Sequence, residues 1–234
     1  EIIKYFRSGA VSSKEKYVRG KLAFKTNYVD GLGKGEHIVY YLSGAVKEKV
    51  NYVDGIQGEF ISYFESGAIR SKANYVGSIN SFYGNIVGEY ISYYESGAIQ
   101  SKANYVDGKP EGEEIYYYES GEVREKVNRA GGQYQGERIE YYKSGVVKMK
   151  ENYVDGQEQG EFIYYYESGA VSEKGNYVGG FGLQGEYIAY YESGEVQFKS
   201  NYDMDGIKEG ELEYYKSGAI ASKTNYVDGK QREF

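Results

Sequence analysis

Along this chain, short runs in which apolar and polar residues alternate are separated by glycine-containing pairs. The stretch Gly88 to Gly108, GEYISYYESGAIQSKANYVDG, shows the pattern in full. Its first half, GExIxYYE in general form, is rich in Tyr and Ile; its second, AIxSKANYV, alternates aliphatic and polar residues. Period-two alternation carried by β-branched and aromatic residues predicts two strands. Ser-Gly lies between the halves, and Asp-Gly follows the second half at Asp30-Gly31, Asp54-Gly55, Asp107-Gly108, Asp155-Gly156, Asp205-Gly206 and Asp228-Gly229. Gly after a small polar residue supplies the positive φ that tight hairpin turns require. The expected fold class is all-β, a continuous antiparallel meander.

The unit recurs almost from end to end. Its anchor glycine, the Gly of Ser-Gly, stands at Gly9, Gly44, Gly67, Gly97, Gly121, Gly145, Gly169, Gly194 and Gly218. From Gly67 onward the intervals are 30, 24, 24, 24, 25 and 24 residues, and the one before them is 23. The first interval, 35, splits into 11 and 24, because Gly20 heads KLAFKTNYVDG, a second half without its first at residues 20–31. A period of about 24 gives about nine hairpins in one repeat array over residues 1–234, single-layer or solenoid-like.

Some columns of the unit hardly change within the molecule. Five residues after each anchor stands a Lys, ten times out of ten, from Lys14 to Lys223; four before each complete anchor stands a Tyr, nine out of nine, from Tyr5 to Tyr214. If the Ser-Gly turn sets Tyr94 opposite Ile99, those two share one face, and Glu89, Ile91, Tyr93, Glu95 and Lys102 share the other. Neither face is purely polar. The unit is irregular at the insertion at residues 77–87, at NRAGGQYQ from Asn128 to Gln135, and at GGFGLQ from Gly179 to Gln184. Loops of this kind often hold the specificity of a repeat array.

Composition narrows the picture. The chain has 33 Gly, 31 Tyr, one Pro and neither Trp nor Cys, so a thick aliphatic core, a disulfide framework and a thiolate metal site are not expected. Its formal charge of −7 comes from 35 acidic and 28 basic residues mixed at short range. Nucleic acid is excluded as an expected partner, and an anionic membrane is disfavoured, since both need clustered Lys and Arg. The first residues, EIIKYFRSG, fall in the middle of a unit, and the chain is expected to be a mature or excised piece of something longer.

No reaction centre emerges. The single His, His37, occupies a column filled elsewhere by Phe60, Tyr90, Glu114 or Arg138 and is expected to be an exposed bystander. Carboxylates such as Glu89 and Glu95 recur from unit to unit, whereas an active site occurs once. One Asp per Asp-Gly loop lacks the further ligands of a calcium loop, and GGFG at Gly179 to Gly182 has neither the Lys nor the helix of a phosphate cradle. No catalytic residue, metal ligand or cofactor is expected.

YYESGAIQSKANYVDG, with GEYISYYESGA leading into it, resembles the bacterial MORN-repeat variant: an aromatic pair, Gly, a strand with Lys, an aromatic and a turn with Gly. The resemblance covers nearly the whole chain, although the Trp frequent in that unit is absent. It implies an elongated meander of hairpins used as a scaffold for protein binding, dimerisation or membrane association. Some members carry an antitoxin label, which implies a third reading as an antitoxin-like binding protein.

The reading favoured by these features is a non-enzymatic scaffold that binds another protein, at a bacterial surface or envelope. Its expected contacts are Tyr63, Tyr93, Tyr117, Tyr141, Tyr165 and Tyr190 of the invariant column, with Phe82, Tyr83, Arg129 and Tyr134 of the irregular segments. Tyr suits such surfaces because it joins a large apolar ring to a polar tip. A second reading is a carbohydrate or cell-wall binding module, in which aromatic residues cage the ligand. A homodimer through a sheet face or edge is a further expectation.

Overall fold

Alternation becomes strand throughout. The computed structural model of the protein describes residues 1–29, 32–53, 57–76, 85–179, 182–227 and 230–232, which form 23 strands and no helix. They belong to two compact units, Glu1–Gly121 and Glu122–Phe234. Within each, successive strands pair antiparallel with their sequence neighbours, as the meander requires.

The Ser-Gly turns share one geometry. At the strand pair Asn85–Tyr93 and Ile99–Val106, the N–H of Gly97 donates to the carbonyl of Tyr94 at 2.9 Å, and the N–H of Tyr94 donates to that of Ala98 at 2.8 Å. Gly97 has φ +90°, so this is a three-residue loop with its last residue left-handed. Tyr142 to Val146 and Tyr166 to Ala170 in the second unit repeat it. The loop corrects the expected register: Tyr93, not Tyr94, lies opposite Ile99, with a shift between Ser92 and Tyr93. Because the N–H of Tyr94 closes the loop on Ala98, one residue of the second strand is left over as a bulge.

The Asp-Gly turns divide into two kinds. Asp107-Gly108 has φ 49° and 78°, and Asp155-Gly156 has 50° and 82°, the two left-handed residues of a two-residue hairpin. Asp205-Gly206 instead copies the Ser-Gly loop: Gly206 donates to the Asp203 carbonyl at 3.1 Å, while Asp203 Oδ1 accepts the N–H groups of Asp205 and Ile207. The pairs at Asp30, Asp54 and Asp228 lie outside the described residues.

The one short interval, 23 residues from Gly44 to Gly67, has a local cause. Gly88, which opens its unit, has φ +71° beside a register shift, whereas Gly58 lies in a strand pair, Val46–Val53 with Gln57–Tyr63, that has no shift. The short unit lacks the register shift seen at Gly88. Regular pairing brings the strands so close there that a Cβ on Gly58 would overlap the Asn51 carbonyl.

Burial is thin and falls mainly on one face. In the first unit Val50, Tyr52, Ala73 and Ala103 are buried with Ser71, Ser92 and Ser101; the Ser92 and Ser101 hydroxyls meet at 2.7 Å. In the second unit Val127, Tyr153 and Phe162 are buried with Glu125 and Glu151. Phe162 is 2% exposed and lies opposite Gly175, where an added Cβ would stand 2.7 Å from its ring. Rings of Tyr164 and Tyr177 pack at 5.1 and 4.6 Å from it. A large side chain thus fits because its cross-strand partner has none.

Candidate interaction surface

Since successive residues of a strand point to opposite faces, the columns that do not feed the buried side share the other. These are the Glu eight residues before the anchor, the Ile six before, the Lys five after and the Asn seven after. Pairing sets them side by side: Ile91 opposite Lys102, and Glu89 opposite Asn104. In the first unit they line three successive clefts. Glu36, Lys49, Asn51 and Glu59 line one of about 250 Å³; Glu59, Lys72, Asn74 and Glu89 line the next, about 200 Å³; Glu89, Lys102, Asn104 and Glu113 line the third, about 260 Å³.

Among the described residues, two ion pairs cross this face diagonally. Lys49 bonds Glu36, which raises the Lys49 pKa against the opposing effect of burial. In the second unit Lys199 meets Glu186 at 3.2 Å in the same relation. Lys174 stands 5.9 Å from the ring of Tyr190, so the Lys columns lie over the Tyr columns as well as beside the carboxylates.

Each expected contact Tyr is half-buried: Tyr63, Tyr93 and Tyr117 in the first unit, Tyr141, Tyr165 and Tyr190 in the second. Their main chain is part of the architecture. The hydroxyl of Tyr41 donates to the Tyr63 carbonyl at 2.8 Å, Tyr94 to Tyr117 at 2.8 Å, Tyr142 to Tyr165 at 2.7 Å and Tyr166 to Tyr190 at 2.7 Å. Exposed on this face are Asn51, Asn74, Asn104, Glu36, Glu59, Glu89 and Glu113. The Asn column was missed in the sequence although its signal was there: it is Asn in nine of ten units, with Lys16 the exception.

Arg129 and Tyr134, from the irregular segment, do come together. They are opposite each other, with the Arg129 guanidinium 4.0 Å from the ring centre and donating to the Gly132 carbonyl at 3.2 Å. The Tyr134 carbonyl accepts the N–H of Gly156 at 2.9 Å, so the pair also braces a hairpin. Phe82 and Tyr83 lie outside the described residues.

His37 corrects the expectation of an exposed bystander. It is half-buried, its Nδ1 is 2.6 Å from Thr26 Oγ1, and burial lowers its pKa. Charge is also found on the buried face of the second unit. Arg138 donates to Glu125 at 2.7 Å and to Glu151 at 3.2 Å, while Tyr153 and Tyr164 donate to Glu151 at 2.9 and 2.7 Å. Burial works against the Arg138 charge, but the bond to Glu125 and the surrounding carboxylates more than offset it and hold its pKa above the ordinary value. Among the described residues no group of His, Asp and Glu is placed to hold a metal ion, and no helix is long and apolar enough to cross a membrane.

A family model described as "MORN repeat variant" matches residues 34–54, 56–76, 86–107, 110–129, 134–155, 158–178 and 183–204. No curated protein matches the chain. Among solved structures, "Crystal Structure of TcdB2-TccC3-TEV" is similar at 13% identity and a TM-score of 0.21, over 100% of this chain and 17% of that one. "Crystal Structure of TcdB2-TccC3 without hypervariable C-terminal region" is similar at 10% identity and a TM-score of 0.24, over 94% and 11%. The chain thus spans less than a fifth of either, and the scores are too low to carry an argument.

Proposed function

The chain belongs to the MORN repeat variant family, a non-catalytic repeat type that generally mediates protein and membrane interactions, and from that premise we propose that it is a scaffold that binds another protein through its Glu, Lys and Asn face. The observation that carries this reading is the row of clefts in the first unit, each built from the same residue types at the same places. Exposed amides of Asn51, Asn74 and Asn104 carry both a donor and an acceptor, and their side chains make no hydrogen bond among the described residues. A polypeptide, which presents an N–H and a C=O at each residue, matches such a row. Half-buried Tyr63, Tyr93 and Tyr117 supply ring surface beside it.

The test is retention from a lysate of the source organism on two immobilised chains: the native one, and one carrying Asn74→Ala, Asn104→Ala, Lys72→Glu and Lys102→Glu. Circular dichroism establishes that the variant is folded. The reading expects proteins held by the native chain and released by the variant. An identical set on both would overturn it.

A further inference from the structure

One cleft departs from the others where the repeat fails. Eight residues before the anchor stands Glu in eight of nine units, and the exception is Gly210. The Lys of that unit, Lys223, lies opposite Leu212, and Asn225 lies opposite Gly210. The diagonal that joins Lys49 to Glu36 and Lys199 to Glu186 would therefore join Lys223 to residue 210, which has no side chain.

Nearby carboxylates are already engaged: Glu186 with Lys199, Glu209 with Asn201, Glu211 with Lys208 and Glu213 with Ser222. Lys223 is exposed, and among the described residues no carboxylate lies within ion-pair distance of it. The cleft is about 330 Å³, larger than the three of the first unit, and Leu212 gives it an apolar wall.

From these relations we infer that this cleft binds a carboxylate presented by a partner polypeptide, which takes the place of the absent Glu side chain. The inference rests on the reading that this face meets a protein. Charge complementarity selects the occupant: one uncompensated ammonium calls for one negative charge, and the Asn225 amide adds a donor beside it. An aliphatic stem on the ligand would lie against Leu212.

The whole labelled chain is titrated by NMR with three peptides. They are acetyl-Ala-Leu-Glu-Ala-amide, its Gln counterpart, and acetyl-Ala-Leu-Ala-Ala with a free C-terminus, so that a side-chain carboxylate and a terminal one are told apart. At least one carboxylate peptide should bind roughly tenfold tighter than the Gln peptide, with shifts centred on Lys223 and Asn225. Gly210→Glu should abolish the preference without disturbing the fold, because residue 210 has an ordinary φ and a Cβ there would find its nearest atom, the Thr224 carbonyl oxygen, at 3.9 Å. Lys223→Gln should also abolish it. Equal binding of all three peptides, shifts spread over the clefts at Lys72 and Lys102, or an unchanged preference in Gly210→Glu would overturn the inference. Loss of this preference with the lysate proteins still retained would sink the cleft alone, whereas failure of both tests would sink the broader reading too.

Discussion

The hydroxyl of Tyr94 donates a 2.8 Å hydrogen bond to the main-chain carbonyl of Tyr117, one unit further along the chain. The bond ties the turn of one hairpin to the strand of the next, and it explains why the aromatic pair persists in a unit that varies elsewhere. Phe64 occupies the equivalent place without a hydroxyl. Tyr94→Phe should therefore cost about 1 kcal/mol in urea unfolding, the net worth of one such bond. Phe64→Tyr should stabilise the chain by a similar amount. Tyr94→Phe with unchanged stability would mean that the ladder is ornamental.

Phe162 and Gly175 form a complementary pair across two strands. Gly175→Ala would push a methyl into the Phe162 ring, and the ring has Tyr177 and Tyr187 around it. Overpacking of this kind should lower stability by about 1 to 3 kcal/mol, and adding Phe162→Leu should recover part of the loss. A double-mutant cycle checks it: independent, additive effects would contradict the described packing.

Arg138 holds two carboxylates apart. Arg138→Met would leave the buried carboxylates of Glu125 and Glu151 without their shared cation. Removing one partner of such a group should destabilise the second unit by about 3 kcal/mol near neutral pH. Thermal unfolding of the variant, compared with one in which both glutamates are also changed to Gln, reads this directly: the triple variant should regain stability.

Alkaline pH should loosen the second unit by a stated route. Burial, and then hydrogen bonds to Glu151 or Glu173, raise Tyr153, Tyr164 and Tyr187 above the ordinary value of 10.0. A raised folded value means that the fold prefers the protonated phenol. The contribution is therefore complete below pH 10 and is lost as pH rises through the higher folded values. Phenolate absorbance should show these three titrating above the ordinary value, with stability falling over the same range. Replacing the three with Phe should reduce that fall, with Tyr177, also raised by burial, left to contribute the remainder. One simple titration of all tyrosines near the ordinary value would contradict the described bonds.

Hairpins, turns and the period were legible because each is local: alternation within a strand, Gly where φ is positive, and repetition that exposes the columns. Register was not. Which residue faces Ile99 depends on how Tyr94 closes its loop, a matter of one hydrogen bond that composition does not encode. Without register, Arg138 and Glu151 look like two solvated charges, and only their pairing across strands shows that they sustain each other. His37 was misjudged for the same reason, since its partner Thr26 belongs to the half unit. For the surface, the column of constant Tyr was the louder signal, but the structure half-buries it and exposes the quieter Asn column.

The central claim is that the Glu, Lys and Asn face meets a protein, and site-specific photo-crosslinking tests it most directly. A photoreactive residue is placed at Asn74 or Asn104 on the face, or at Glu65 or Glu95, which are exposed at the hairpin turns, and the chain is irradiated in cells of the source organism. The account predicts discrete protein adducts from positions 74 and 104 and none from 65 and 95. Adducts from the turn positions alone, or none from the face, would contradict it.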